Sequence, residues 1–216
     1  MAPTSTPTLE TTKEPGGRLR KGERTRRRIV ERAAPVFNQR GYAGASMSEI
    51  VAVTGVEKGG IYNHFGSKDA LALEAFDYAF SLIVDRFTRA QEGKEDAVDR
   101  LVALVDAFSD EFDHPDLPGG CPIANTAIES DDTHPALCAH ARDAMDRWHR
   151  LIGSIVKSGK ARGDLPEDTD PYELATVMTA TLEGALMLGR LLHEPAHMQR
   201  AAHHLKSHIL SLRSGA

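Results

Sequence analysis

Apolar residues recur along this chain at helical spacing, and polar or glycine-rich breaks separate the segments. Ile29, Ala33, Val36 and Phe37 mark a first helix over about Thr25 to Arg40, closed by Gly41. Pro35 stands inside that pattern, where it deletes a backbone hydrogen bond and is expected to kink the helix. From Ala45 to Lys68 the pattern gives two short helices around a tight turn, with a further helix starting at once. Ser46 has the chemistry of an N-cap, and Glu49 stands three residues on, as a capping box requires. Met47, Ile50, Val51 and Thr54 give this helix one face, and Gly55 supplies the left-handed residue that ends it. Val56, Ile61 and Phe65 carry the apolar face of the second helix.

Beyond Lys68 the chain reads as nearly all helix. Residues 68–90 bear two stripes, Leu73, Phe76, Phe80, Ile83, Phe87 and Leu71, Ala75, Tyr78, Ala79, Leu82, so that helix is packed on two sides. Ala97, Leu101, Leu104, Val105, Phe108 and Phe112 make the next helix, and the prolines and glycines between His114 and Cys121 make a loop. A short helix is expected from Pro122 to about Glu129. A long one follows to Arg162, through Leu137, Ala141, Met145, Trp148, Ile152 and Ile155. Pro171 opens a helix reaching Leu192, and Pro195 opens the last, with Met198, Ala201, Leu205, Ile209 and Leu212. No repeat and no strand alternation appears, so the fold class is all-α. Residues 1–20 are rich in Thr, Pro and Gly without periodicity and read as a disordered arm. Its end joins a basic run of Arg18, Arg20, Lys21, Arg24, Arg26, Arg27 and Arg28, suited to phosphates or a minor groove.

Charge sharpens this picture. The 216 residues carry a net charge of −5, but that charge is unevenly divided along the chain. Residues 1–68 hold 12 Lys/Arg against 6 Asp/Glu, and residues 69–216 hold 14 against 25. A basic head on an acidic body fits one end facing phosphate. No apolar run approaches a membrane span, and the N-terminal residues lack the apolar segment of a secretory signal, so a cytoplasmic location is expected. Cys121 and Cys138 give neither a disulfide framework nor a zinc spacing. No nucleophile elbow, phosphate loop, metal-binding His-Glu motif or dinucleotide fingerprint appears, so neither an enzyme nor a cofactor is expected.

The outward face of the second short helix is Lys58, Gly59, Gly60, Tyr62, Asn63 and His64. It makes a poor core face but suits a DNA major groove, where glycine permits close approach and Asn, Tyr and Lys reach bases or phosphates. Gly55, Val56, Gly59, Ile61, Tyr62, His64, Phe65, Ser67, Lys68 and Leu71 together resemble the helix-turn-helix signature of the tetracycline-repressor (TetR) family of transcriptional regulators.

That resemblance implies about nine helices, with a three-helix DNA-binding head at residues 21–68 and a ligand-binding and dimerisation body at residues 69–216. It further implies a ligand-responsive regulator, most simply a repressor, that binds a palindromic double-stranded operator as a homodimer and is released by a small-molecule effector. Asn63 is the base-reading candidate, because its amide pairs bidentately with adenine. Tyr62, His64 and Lys68 resemble family positions that touch the phosphate backbone. Lys58, Gly59, Gly60 and Arg26 join the candidate DNA set, with Ser46 either donating to phosphate or capping its helix. Many relatives carry Thr or Ser where this chain has Gly60.

The family's dimer interface usually comes from the last two helices. Here their faces are Leu174, Val177, Met178, Thr181, Leu182, Ala185, Leu205 and Ile209, which suit an internal core nearly as well. Candidate pocket residues are Phe80, Ile83, Phe108, Cys121, Asn125, Met145, Trp148, Met178 and Glu183, each of which also reads as plain core. Cys121 at a helix N-terminus is either a packed thiol or a sensor of oxidants or electrophiles. His204 and His208 share a face at i, i+4, but no carboxylate or cysteine completes a metal site in sequence.

Overall fold

The computed structural model describes residues 21–110 and 117–213. The expected arm over residues 1–20 lies outside the described residues, as do Phe112 and part of the loop after His114. Nine helices and no strand are present among the described residues: α1 (Lys21–Gly44), α2 (Met47–Thr54), α3 (Lys58–Phe65), α4 (Lys68–Ala90), α5 (Ala97–Ser109), α6 (Pro122–Ser130), α7 (Pro135–Arg162), α8 (Pro171–Leu192) and α9 (Ala196–Ser211). Among these residues no helix is long and apolar enough to cross a membrane.

The described chain divides into two compact units, residues 21–83 with 117–144, and residues 84–110 with 145–213. The first takes in more chain than the segment bearing the helix-turn-helix pattern. Its core is built from α1 to α4: Ile29, Val30, Ala33, Ile50, Ile61, Phe65 and Leu71 are buried together, with Val36, Phe37, Met47, Val51, Val56 and Tyr78 packed around them. Full burial of each large aliphatic side chain contributes about 1.5–3 kcal/mol, which is what ties the two short helices α2 and α3 to α1 and α4.

Two features of α1 join it to α6 and the loop before it. Pro35 sits within helical backbone, and the helix breaks at Gly41, the residue expected to close it, which takes φ 73° and ψ 171°. Two amides freed by the break are held by α6: the Tyr42 and Ala43 N–H groups donate to the Glu129 carboxylate at 2.7 and 2.9 Å. Higher on α1, the buried Asn38 amide donates to the Pro118 and Gly120 carbonyls at 3.0 and 2.8 Å. Asn125 of α6 returns donors to Asn38 Oδ1 and to the Gly119 carbonyl. Buried amides without such partners would each cost about 1–3 kcal/mol, so this lattice fixes the 117–121 loop on α1.

The second unit is a helical core in which α5, α8 and α9 pack together. Trp148 lies 4.7 Å from the Phe87 ring, and its indole N–H donates to Thr179 Oγ1 at 2.9 Å. Salt bridges join α9 to α5, Lys206 to Asp106 at 2.7 Å, and Arg213 just past α9 pairs with Asp96 and Asp99. Asp164 is half-buried, which works against its ionised form. The Ala97 N–H and the Arg162 guanidinium outweigh that burial and hold the carboxyl below its usual range.

Candidate nucleic-acid interface

The interface is assembled from α2 and α3. Ser46 caps α2: its hydroxyl accepts the Glu49 N–H at 3.1 Å, and the Glu49 carboxylate accepts the Ser46 N–H at 3.0 Å. The Ser46 N–H and then its hydroxyl hold the Glu49 carboxyl below its ordinary pKa, with Arg40 at 3.7 Å adding to the effect. Gly55 ends α2 at φ 66°, and its N–H returns to the Val51 carbonyl at 2.9 Å. That single left-handed residue turns the chain by the angle a helix-turn-helix requires.

On α3, Ile61 and Phe65 point inward and are 1% and 7% exposed. Lys58, Gly59, Tyr62 and Asn63 face solvent, and Gly60 and His64 are half-buried beside them. The Lys58 ammonium lies 5.9 Å from the centre of the Tyr62 ring. Nothing stands within 4 Å of where a Cβ would sit on Gly59, so a second backbone can come close there. The arrangement offers one cation, one phenol and one primary amide on an open helix face, the set that reads base edges and phosphates.

Three other proposed contacts sit differently. Lys68 opens α4 behind the Ser67 cap, donates to the Tyr42 carbonyl and lies 4.5 Å from the Tyr42 ring. His64 uses its carbonyl to accept from Arg26. Arg26 turns inward onto Glu74 and Phe65. Tyr42 donates its hydroxyl to Asp69, and that hydrogen bond, with burial and the Asp69 charge, pushes its pKa up to about 12. His134 stacks edgewise on Tyr42 at 4.6 Å. Glu74, Asp69 and Glu129 were invisible to sequence patterning, because each acts on a partner 27 to 87 residues away.

Residues 29–75 match the family described as bacterial regulatory proteins, tetR family, and residues 97–205 match the tetracyclin repressor-like C-terminal domain. A TetR transcriptional regulator of Chloroflexus aurantiacus has a similar crystal structure, with 45% sequence identity and a TM-score of 0.87, over 92% of this chain and all of that one. The chain belongs to the TetR family. The repressor DhaR of a Mycobacterium species is 26% identical over 75% of this chain and 80% of its own. A TetR-family regulator, CifR, solved as a cysteine mutant with a 26-bp double-strand operator, is 27% identical with a TM-score of 0.70, over 87% of this chain and 98% of that one. This TetR-family protein is therefore a DNA-binding transcriptional regulator whose helix-turn-helix lies at the N-terminal end.

The residues expected to line an effector pocket fall in both units of the regulator. Phe80, Ile83, Cys121 and Asn125 belong to the first, and Phe108, Met145, Trp148, Met178 and Glu183 to the second. All but Asn125, Met145 and Glu183 are buried. The first unit holds a cavity of about 360 Å³ between α1, α4, α6 and α7, and of the nine only Asn125 lines it. Phe37, Tyr42, Phe76, Glu129 and Leu137 line it too. Cys121 stands at the N-cap of α6 and is buried. No cluster of three metal-ligating side chains occurs among the described residues.

The last two helices separate their faces clearly. Leu174, Met178, Leu182, Ala185, Leu205 and Ile209 are 5% exposed or less within the single chain and form its own core. Of the expected interface residues Val177 is open and Thr181 half-buried; Met187, Leu188, Leu191 and Leu192 on α8 and Leu210 on α9 are exposed as well.

Proposed function

We propose that this protein is an effector-released repressor that binds a palindromic operator as a homodimer. The observation that carries the DNA-reading part is the face of α3, which buries Ile61 and Phe65 and turns Lys58, Gly59, Tyr62 and Asn63 outward. In this reading Asn63 pairs with a base edge, Gly59 lets α3 approach the major groove closely, and Lys58 and Tyr62 meet the phosphates. A Cβ on Gly60 would instead meet Val56 Cγ1 at 2.9 Å, and the Ser46 hydroxyl is spent on Glu49. Lys68 and His64 lie at the margin of that surface, with Lys68 reaching phosphate only by leaving the Tyr42 carbonyl. A two-fold dimer would place two such helices about one helical turn apart on the duplex.

Repression is supported by the DhaR relative, and operator binding by CifR. Release requires an effector that binds the DNA-competent and DNA-incompetent states with different affinity. Helix α4 is continuous through both compact units, so a change at its C-terminal half has a covalent path to its N-terminal half.

The test is selection of bound duplexes from a random pool, followed by binding of the selected operator at several salt concentrations. Asn63→Ala should relax the preference at one base position by about 1–3 kcal/mol, while Lys58→Ala should weaken all sequences alike and lower the salt slope by about one. A wild-type protein that selects no sequence would sink the reading. Compounds screened for release of the selected operator then test the effector part.

A further inference from the structure

Arg26 lies in the middle of the basic run of residues 18–28, and charge alone would group it with its neighbours as a phosphate ligand. Its surroundings give it other work. The guanidinium meets the Glu74 carboxylate as a fork, Nε donating to Oε2 at 3.0 Å and Nη2 to Oε1. Nη1 donates to the His64 carbonyl, and the guanidinium carbon lies 4.3 Å from the centre of the Phe65 ring. Both edges and one face of the group are therefore committed to the head itself.

What it touches is specific. His64 and Phe65 are the last two residues of α3, and Glu74 lies in the second turn of α4. The last-turn carbonyls of a helix lack intrahelical donors, and Arg26 supplies one to His64. A single side chain from α1 thus holds the end of the candidate recognition helix and the start of the helix after it. Its planar fork can grip carboxylate, carbonyl and ring together in a way an ammonium cannot.

We infer that Arg26 is a positioning residue for operator binding: paired with Glu74, it sets the attitude of α3 and is not a phosphate ligand. This rests on α3 being the recognition helix. The pair also gives a test whose sign differs between the two roles. Glu74 is an anion in a head that faces DNA, so if charge were all that mattered, Glu74→Gln would tighten binding. If the pair positions α3, the same change must weaken it.

The experiment measures binding of the selected operator and of unrelated duplex by wild type, Arg26→Gln, Arg26→Lys and Glu74→Gln, each over a series of salt concentrations. Melting above the assay temperature is required of every variant, and the isosteric Glu74→Gln serves if Arg26→Gln fails that requirement. We expect all three variants to lose about ten-fold in operator affinity, with binding to unrelated duplex and the salt slope unchanged. Arg26→Lys should not rescue. A phosphate role would show a slope lowered by about 0.9 in Arg26→Gln, affinity kept in Arg26→Lys, and tighter binding by Glu74→Gln. That pattern would overturn the inference while leaving the operator-binding reading intact. A wild type that does not distinguish operator from unrelated duplex would overturn the reading itself, and the inference with it.

Discussion

Glu129 occupies the space that a side chain at Gly41 would need. A Cβ built there would lie 2.5 Å from Glu129 Oε2 and 2.7 Å from its Cδ. The close approach is what lets the carboxylate reach the Tyr42 and Ala43 amides from α6.

Gly41→Ala should therefore destabilise the protein by about 3 kcal/mol or more. Its backbone angles belong to a region that is almost confined to glycine, at about 1–3 kcal/mol for other residues, and the added methyl must also displace the carboxylate. Urea denaturation gives the number. Adding Glu129→Ala should recover part of the loss, because the clash disappears although two amides lose their acceptor. An alanine variant as stable as wild type would mean that Glu129 does not hold this position in solution.

Tyr42 predicts an alkaline limb of stability. Its pKa is pushed up to about 12, from 10 in the unfolded chain, first by the hydrogen bond to Asp69 and then by burial. The folded state keeps this proton where the unfolded state has lost it. The contribution is thus complete below pH 10 and disappears as pH rises through about 12. Denaturation between pH 9 and about 12 should show a steeper decline for wild type than for Tyr42→Phe. Parallel curves would count against the Tyr42–Asp69 bond.

Leu188 and Leu191 are 39% and 69% exposed on α8, on the helix face that also carries Val177. An exposed apolar stripe of this kind marks an association surface. Under the dimer reading, Leu188→Glu with Leu191→Glu should sediment as a monomer with helix content unchanged, and bind the operator at least ten-fold more weakly. A variant that stays dimeric would move the interface elsewhere.

Much of the architecture was legible because it is local. The Ser46–Glu49 capping box, the left-handed Gly55 and the apolar spacing of Ile61 and Phe65 each depend on residues within one or two turns, and the structure shows all of them. Helix ends near Pro122, Pro135 and Pro171 followed from the missing N–H of proline, which is tolerated at a first turn. What stayed hidden was non-local. Nothing in the spacing of Arg26 announces Glu74, and nothing in the face of α8 tells which leucines its own chain will cover. Buried Met178 and exposed Leu191 stand on different faces of α8, both faces are apolar, and only the partner helix decides which one the chain itself covers.

Gly59 opens α3 to close approach, Gly60 makes room for Val56, and together they weaken the helix. Each glycine costs α3 about 1 kcal/mol of helix propensity relative to alanine, Glu57 gives no side-chain cap, and eight residues are too few to hold a helix alone. The shape of α3 is therefore imposed by Ile61, Phe65 and Arg26 rather than generated by its own chain. If α3 reads the operator, it is expected to loosen on warming before the rest of the fold, so that operator binding fails several degrees below the melting temperature.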